Sequence, residues 1–425
     1  MLGSELRDAA DRVVWGLRPS LLVEALGSTA GRRRLLHTLA DVDTPLAAVR
    51  PMTVAAGLPR LGTVESNVPI LRRLRREAVR EPDAFVAFPY DWRQPVEAVA
   101  SRFADFAEAH LRRWRRNPLG GPEAMLSLVC HSMGGLVAQH FVDVLGGRDS
   151  VRTTITLGTP FYGSIRAVTA IAEGPAAPFG GMRRTMRDLA RAFPSIYDLL
   201  PRYRCVVAGD GLRALTVADV ASVGGDAGLA EAANARHARA AAARAKAGPG
   251  GLRARVGLAQ PTAQTVRFDS GAAYPLFHHG GEDRGGDGTV ARDAAAPAGA
   301  QPHYVPQKHA RLATTAEAFE FVRAVLTERP LGEPLGDGFG VDLPEVVRPG
   351  EPFEVIVRLP PGVPATCVVT DTETERQVAV VEPRPRDGWQ VAAVTLPSPG
   401  LYRADVKAGG FSAVGDLVLA IADLD

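Results

Sequence analysis

The residues best placed for chemistry lie in Ala124–Val144, AMLSLVCHSMGGLVAQHFVDV. An apolar run reaches a tight Cys-His-Ser-Met-Gly-Gly turn. Helical spacing begins at once after it, with Leu136, Val137, Phe141, Val144 and Leu145. A strand that turns sharply into a helix lifts one serine hydroxyl clear of the sheet and aims the next backbone N–H groups at the same point. Ser132 is therefore a candidate nucleophile. Its ordinary alternative is a helix N-cap, but the strand on one side and the helix on the other favour the elbow. The first position of such elbows is usually glycine, because strand and helix cross closely there; here it is the compact Cys130. Gly146-Gly147 predicts the end of the helix.

An elbow serine needs a base and an acid to orient it, in the chain order Ser, Asp/Glu, His. Asp287 sits between Gly286 and Gly288 in GGEDRGGDGTVARDAA, a turn that could present a carboxylate at a strand end. Asp283 and Asp293 are rivals without that glycine bracket. His309, in QPHYVPQKHARLATTAEAFEFVRAVL, follows an extended piece and precedes a helix that a Thr314–Glu317 capping box would open. The remaining histidines read more blandly. His131 is the variable elbow residue, His140 lies on the helix, and the adjacent His278-His279 pair lacks metal-ligand spacing.

Further blocks flank these residues in a fixed order: VAFPYDWRQP (Val86–Pro95), CHSMGGLV, TLGTPFYGS (Thr156–Ser164), FPSIYDLLPRY (Phe193–Tyr203), GDGTV (Gly286–Val290) and KHARL (Lys308–Leu312). Over roughly the first three quarters of the chain this series resembles the bacterial branch of the lecithin:cholesterol acyltransferase-like family of α/β-hydrolases. The YDWR and LGTPFYGS blocks are more specific than the elbow alone. The resemblance implies Ser132 as nucleophile, Asp287 as acid and His309 as base. It also implies an oxyanion hole from the Met133 amide and from the Leu2 amide, in a loop whose second half resembles Met1-Leu2-Gly3-Ser4. The family carries a strand before that loop, next to the elbow strand. This sequence starts inside the motif, so the reading expects the natural protein to be longer upstream. The family also implies that the stretch around Thr53–Val68 forms part of a lid.

The elements that must position these groups form an α/β fold with an appended all-β unit. Residues 1–330 are expected to be the α/β-hydrolase domain, with a strand at Phe85–Trp92 and a helical cap over about 165–264. Residues 331–344, rich in glycine and proline, are expected to link it to a separable β-sandwich accessory domain at 345–425. That tail alternates six short β patterns with turns, and Tyr402 in SPGLYRADV is a candidate tyrosine corner of an immunoglobulin-like domain. Asp91-Trp92-Arg93 reads as structural, a buried tryptophan beside an ion pair.

Composition narrows the function. Net charge is only +2, and 46 of the 49 basic residues are arginine. The clusters Arg72-Arg73, Arg75-Arg76, Arg112-Arg113 and Arg115-Arg116 fall on helical patterns as solvated faces, and no nucleic-acid-binding motif accompanies them. Such arginines could meet a phosphate headgroup, so transient contact with a membrane surface is an expectation. The cysteines, Cys130, Cys205 and Cys367, are scattered and odd in number, which argues against a disulfide framework. No signal peptide or membrane-spanning run is evident, so the chain as written is expected to be cytoplasmic. The expected activity is serine-dependent acyl transfer or hydrolysis of a lipid ester, without metal or cofactor. The alternatives are a hydrolase of another ester or thioester, and a weakly catalytic scaffold whose β-sandwich binds a partner.

Overall fold

Three runs carrying Val, Ile and Leu, and the more polar Gln301–Pro306, pair as a parallel four-stranded sheet in the order Gln301–Pro306, Leu252–Leu258, Val151–Leu157, Leu126–His131. The computed structural model describes residues 3–58, 62–64, 68–78, 81–172, 180–248, 251–331, 338–360 and 362–422. Ile155, Leu157, Ala254 and Val256 are buried, as expected of parallel strands covered on both faces. Helices Val96–Arg115, Gly134–Asp143 and Ala316–Leu326 follow their apolar periodicity. Gly146, at φ 77°, sits in the left-handed conformation just past the elbow helix. The last helix is capped by Thr315, whose side chain accepts from Ala318 N, instead of by Thr314. Thr314 bonds back to Arg311 O through both its amide and its hydroxyl, which leaves the cap to its neighbour.

Among the described strands, Leu126–His131 is one edge of this sheet and Gln301–Pro306 the other. The strand expected at Phe85–Trp92 is not formed: residues 85–90 belong to no described ladder. Pro89 offers no amide donor, and the segment is held instead by Ser4. Tyr90 N donates to Ser4 Oγ at 3.0 Å, and Trp92 Nε1 donates to Ser4 O at 3.4 Å. Ser4 belongs to an antiparallel sheet of Ser4–Arg7, Val13–Trp15 and Ala47–Pro51. The described part of the stretch around Thr53–Val68 includes a small hairpin, Ala56–Leu58 with Gly62–Val64. Residues 59–61 and 65–67 lie outside the described residues.

Asp91, Trp92 and Arg93 are fully buried. Arg93 grips the Asp91 carboxylate through two nitrogens, at 3.0 and 2.8 Å, and donates to the Leu39, Asp41 and Thr44 carbonyls. Trp92 meets Trp15 and Phe193 edge-on, so this block welds the N-terminal sheet to the cap.

Between Val151–Leu157 and Leu252–Leu258 the chain inserts the cap. It includes helices Ile165–Ala172, Gly180–Ala192, Pro194–Asp198, Val217–Ser222 and Ala227–Ala247. The expected limit of 264 is too late, because Leu252–Leu258 is already a strand of the central sheet. Nor is the region purely helical. Arg204–Ala208 and Gly211–Ala214 form a sheet with the later hairpin Thr265–Asp269/Ala272–Leu276.

The C-terminal region is built from two mainly antiparallel sheets around one core. One contains Gly340–Asp342, Pro352–Arg358, Trp389–Thr395 and Arg384–Arg386. The other contains Val346–Val347, Val414–Ala420, Gly400–Ala408, Ala365–Asp371 and Gln377–Val381. Tyr402 is buried and its hydroxyl donates to Ser398 O at 2.9 Å. Two expectations change here. Gly340–Asp342, within the expected linker 331–344, is a strand of the first sheet, while residues 332–337 lie outside the described residues. The region is also not loosely tethered: Val346, Leu401, Leu417, Leu419 and Ile421 belong to the main hydrophobic core of the α/β unit.

Candidate active site

The elbow places Ser132 at φ 54°, a left-handed backbone conformation rarely adopted by a non-glycine residue. The turn is held from below by Ser132 N donating to Leu157 O at 2.9 Å, and from the side by Thr159 Oγ1 donating to Ser132 O at 2.9 Å. Gly135 permits that second clasp, since a Cβ there would lie 2.0 Å from Thr159 Oγ1.

Three candidates drawn from distant parts of the sequence meet at this turn. Ser132 Oγ lies 2.9 Å from His309 Nε2, and His309 Nδ1 lies 2.7 Å from Asp287 Oδ2. The other carboxylate oxygen, Asp287 Oδ1, accepts from Thr289 N at 2.9 Å and Val290 N at 2.7 Å. Asp287 is buried, so these N–H groups replace the water its charge has lost. His309 N also donates to Asp287 O at 2.8 Å, binding the two loops together at the backbone. The GDGTV turn thus supplies both the acid and the donors that hold it.

Two glycines keep the space that this line of atoms needs. A Cβ on Gly158, at φ 62°, would stand 3.1 Å from both Asp287 Oδ2 and His309 Nδ1 and 2.7 Å from Leu312 Cδ1. A Cβ on Gly257 would stand 2.4 Å from Asp287 Cβ.

The rival acids are engaged elsewhere. Asp283 accepts from Gln264 Nε2 and Gly285 N, and Asp293 pairs with Arg284 and Arg292. Of the two expected oxyanion donors, the Met133 amide has no hydrogen-bond partner among the described residues, and Met133 opens the elbow helix. Leu2 lies outside the described residues.

His131 is the residue that sequence reasoning passed over. Its Nε2 donates to His309 O at 3.0 Å, and the two rings lie 5.1 Å apart. Burial, with His309 next to it, pushes its pKa down to about 3, so the ring is neutral and the donor stays in place at ordinary pH. No local signal marks this contact, because its partner is 178 residues away. Cys130 is half-buried beside the serine, and burial pushes its thiol up to about 12. It is a packing residue at neutral pH. Cys205 and Cys367 are buried and also unpaired.

Comparison with known proteins adds a family match over part of the chain. Residues 70–221 match the model of the lecithin:cholesterol acyltransferase family. That segment includes Ser132 and the LGTPFYGS block and ends before Asp287 and His309. No curated relative matches the sequence. Among solved structures, the Tle4–Tli4 complex is similar at 14% identity and a TM-score of 0.49, over 77% of this chain and 95% of that one. The propeptide form of the Bacillus licheniformis lipase BlEst2 is similar at 12% identity and a TM-score of 0.32, over 77% of this chain and 84% of that one. A superoxide reductase (neelaredoxin) from Ignicoccus hospitalis is similar over only 20% of this chain and 80% of its own, at 13% identity and a TM-score of 0.16. Likeness at this level assigns no activity.

Proposed function

Taking residues 70–221 as a segment of lecithin:cholesterol acyltransferase type, we propose that the chain is a serine acyltransferase or lipase-type esterase acting on lipid esters. One observation carries the reading: the unbroken hydrogen-bonded line from Ser132 Oγ through His309 to Asp287, at 2.9 and 2.7 Å. In this arrangement His309 Nε2 takes the hydroxyl proton as Ser132 Oγ attacks the ester carbonyl. Asp287 keeps the proton on Nδ1 and stabilises the imidazolium that forms. The Met133 amide, and on the family's pattern the Leu2 amide, would hold the oxyanion; one such donor is worth about 3 kcal/mol. The leaving alcohol takes the proton from Nε2, and the acyl group stays on the serine. Water or a second alcohol then repeats the sequence in reverse. The balance between hydrolysis and transfer depends on how well the cap excludes water.

On this reading the central unit is an α/β-hydrolase, and Tyr402 with its bond to Ser398 O supports an immunoglobulin-like reading of the C-terminal unit. The proposal is tested with a fluorophosphonate probe and a panel of phospholipids and short-chain esters, with and without an alcohol acceptor. We expect Ser132→Ala to abolish labelling. Ser132→Ala, His309→Ala and Asp287→Asn should each lower kcat by on the order of 10⁴-fold or more, without adding in combination. Wild-type turnover by Ser132→Ala would refute the reading.

A further inference from the structure

The acid loop and the base loop each touch the C-terminal β domain through a buried glutamine. Gln260 lies under the acid. Its backbone N donates to Gly286 O at 3.0 Å, immediately before Asp287. Its side-chain amide faces the other way and is satisfied at both ends by the β domain. Nε2 donates to Phe339 O at 2.9 Å, and Oε1 accepts from Val341 N at 3.1 Å. Gln307 lies beside the base. Its Oε1 accepts from Lys308 N at 3.0 Å, one residue before His309, and its Nε2 donates to Ala413 O at 2.9 Å.

Both amides are almost wholly buried, at 1% and 3% exposure, so water cannot replace a lost partner. Lys308 reaches Asp416 at 3.4 Å and Arg311 reaches Asp405 at 3.4 Å, adding two charged contacts on the same side. The approach is close enough to demand glycine. A Cβ on Gly338 would lie 1.9 Å from Pro306 Cβ, and one on Gly340 would lie 2.6 Å from Ala259 O.

We infer that the β domain is part of the machinery that aligns the reacting groups, with Gln260 and Gln307 as positioning residues that tie the Asp287 and His309 loops to its backbone. This rests on the Ser132–His309–Asp287 reading above. An accessory module needs no buried amide at the roots of both loops, whereas a brace needs one at each. Among the described residues, the hydrogen bonds running directly between the two loops are His309 N to Asp287 O and the Nδ1–Oδ2 bond. The strands that lead into them pair at Leu258 and Pro306, and beyond that ladder the β domain is the body fastened to both. A displacement of about 1 Å at such a site costs on the order of 10²-fold in rate.

The test uses full-length Gln260→Ala and Gln307→Ala, assayed per folded molecule on a soluble p-nitrophenyl ester well below their melting temperatures. We expect kcat to fall about 10- to 100-fold, with KM within about twofold and fluorophosphonate labelling of Ser132 slowed in parallel. A lower melting temperature with kcat within twofold of wild type would overturn the inference, since a purely structural bond gives that result. If either variant fails to fold, Asp416→Asn and Asp405→Asn loosen the same brace from the β-domain side. Unchanged kcat in both would overturn it equally. Ser132→Ala runs alongside. Turnover by that variant would sink the serine reading itself, whereas a dead Ser132→Ala with unaffected glutamine variants would sink only the brace.

Discussion

Gly257 shows how little room the proposed catalytic groups leave for change. Its absent side chain is the space occupied by the Asp287 methylene, 2.4 Å from where a Cβ would be. Gly257→Ala should push the acid off its line with His309 and lower kcat about 10²-fold, by the same argument of angstrom-scale misplacement. The fold should survive with a lower melting temperature, because Gly257 has no positive φ to give up but the same Cβ would stand 2.8 Å from Gln307 O. Steady-state kinetics beside far-UV circular dichroism would check both halves; wild-type kcat would show that the loop yields without consequence. At this scale the sequence exposed the groups that share a motif and hid those that act across space. Ser132 and Asp287 stand out because turn residues bracket them, and His309 because it lies between an extended piece and a helix. His131, Gln260 and Gln307 carry no local mark. Each has at least one partner among the backbone groups of a remote segment, which only the fold brings near.

At the scale of elements, the long cap helix Ala227–Ala247 is seated by charged pairs as well as by the packing of Ala230 and Ala233 in the core. Arg236 pairs with the buried Asp198 at 2.7 Å, Arg244 pairs with Asp143 of the elbow helix at 2.9 Å, and His237 Nε2 donates to Asp198 O at 2.8 Å. Burial, reinforced by Arg202, pushes the His237 pKa down to about 3. An unfolded histidine titrates near 6.5. Between those values the unfolded chain takes up a proton that the folded one refuses. The stabilisation is therefore complete above about pH 6.5 and is lost as pH falls toward 3, by up to about 1.4 kcal/mol per unit. His237→Gln keeps a donor for Asp198 O and removes the titration, so its urea-unfolding free energy should fall less steeply from pH 6.5 to 4 than that of wild type. Parallel curves would contradict this. Its alanine-rich run suits a helix without marking an apolar face. The cap sheet carries no such signal, because RCVVA and GLRA are short, and RCVVA also pairs with a strand some sixty residues downstream. Phe85–Trp92 erred the other way: its composition suits a strand, but strand formation requires a neighbour, and its Tyr90 amide donates to the Ser4 side chain.

For the whole molecule, the sequence reads as a catalytic unit, a flexible connection and an independent sandwich. The glycine- and proline-rich composition of 331–344 invites that reading, yet composition reports the freedom of the connecting chain and not the surface that the appended unit buries. The structure buries Leu401, Leu417, Leu419 and Ile421 within the core of the first unit and places Arg166 against Glu345 across the junction. Cutting the chain after Leu331 should therefore expose apolar surface on the remaining fragment and yield aggregated or molten material. Size-exclusion chromatography and near-ultraviolet circular dichroism would report it. A monodisperse, cooperatively folding 1–331 fragment would show that the contact is dispensable for folding.

The three thiols have a practical consequence for watching this molecule work. Burial raises Cys130 and Cys205 to about 12 and Cys367 to about 11. Only the thiolate attacks a maleimide, so at pH 7 each native cysteine is reactive in roughly one part in 10⁴ or less. The wild-type background is thus nearly silent toward dyes and spin labels. A single cysteine placed on the exposed face of the cap and another on the β domain could be labelled without first removing any native residue. Their separation could then be followed by energy transfer while substrate is turned over, with the packing around Ser132 left as the sequence made it.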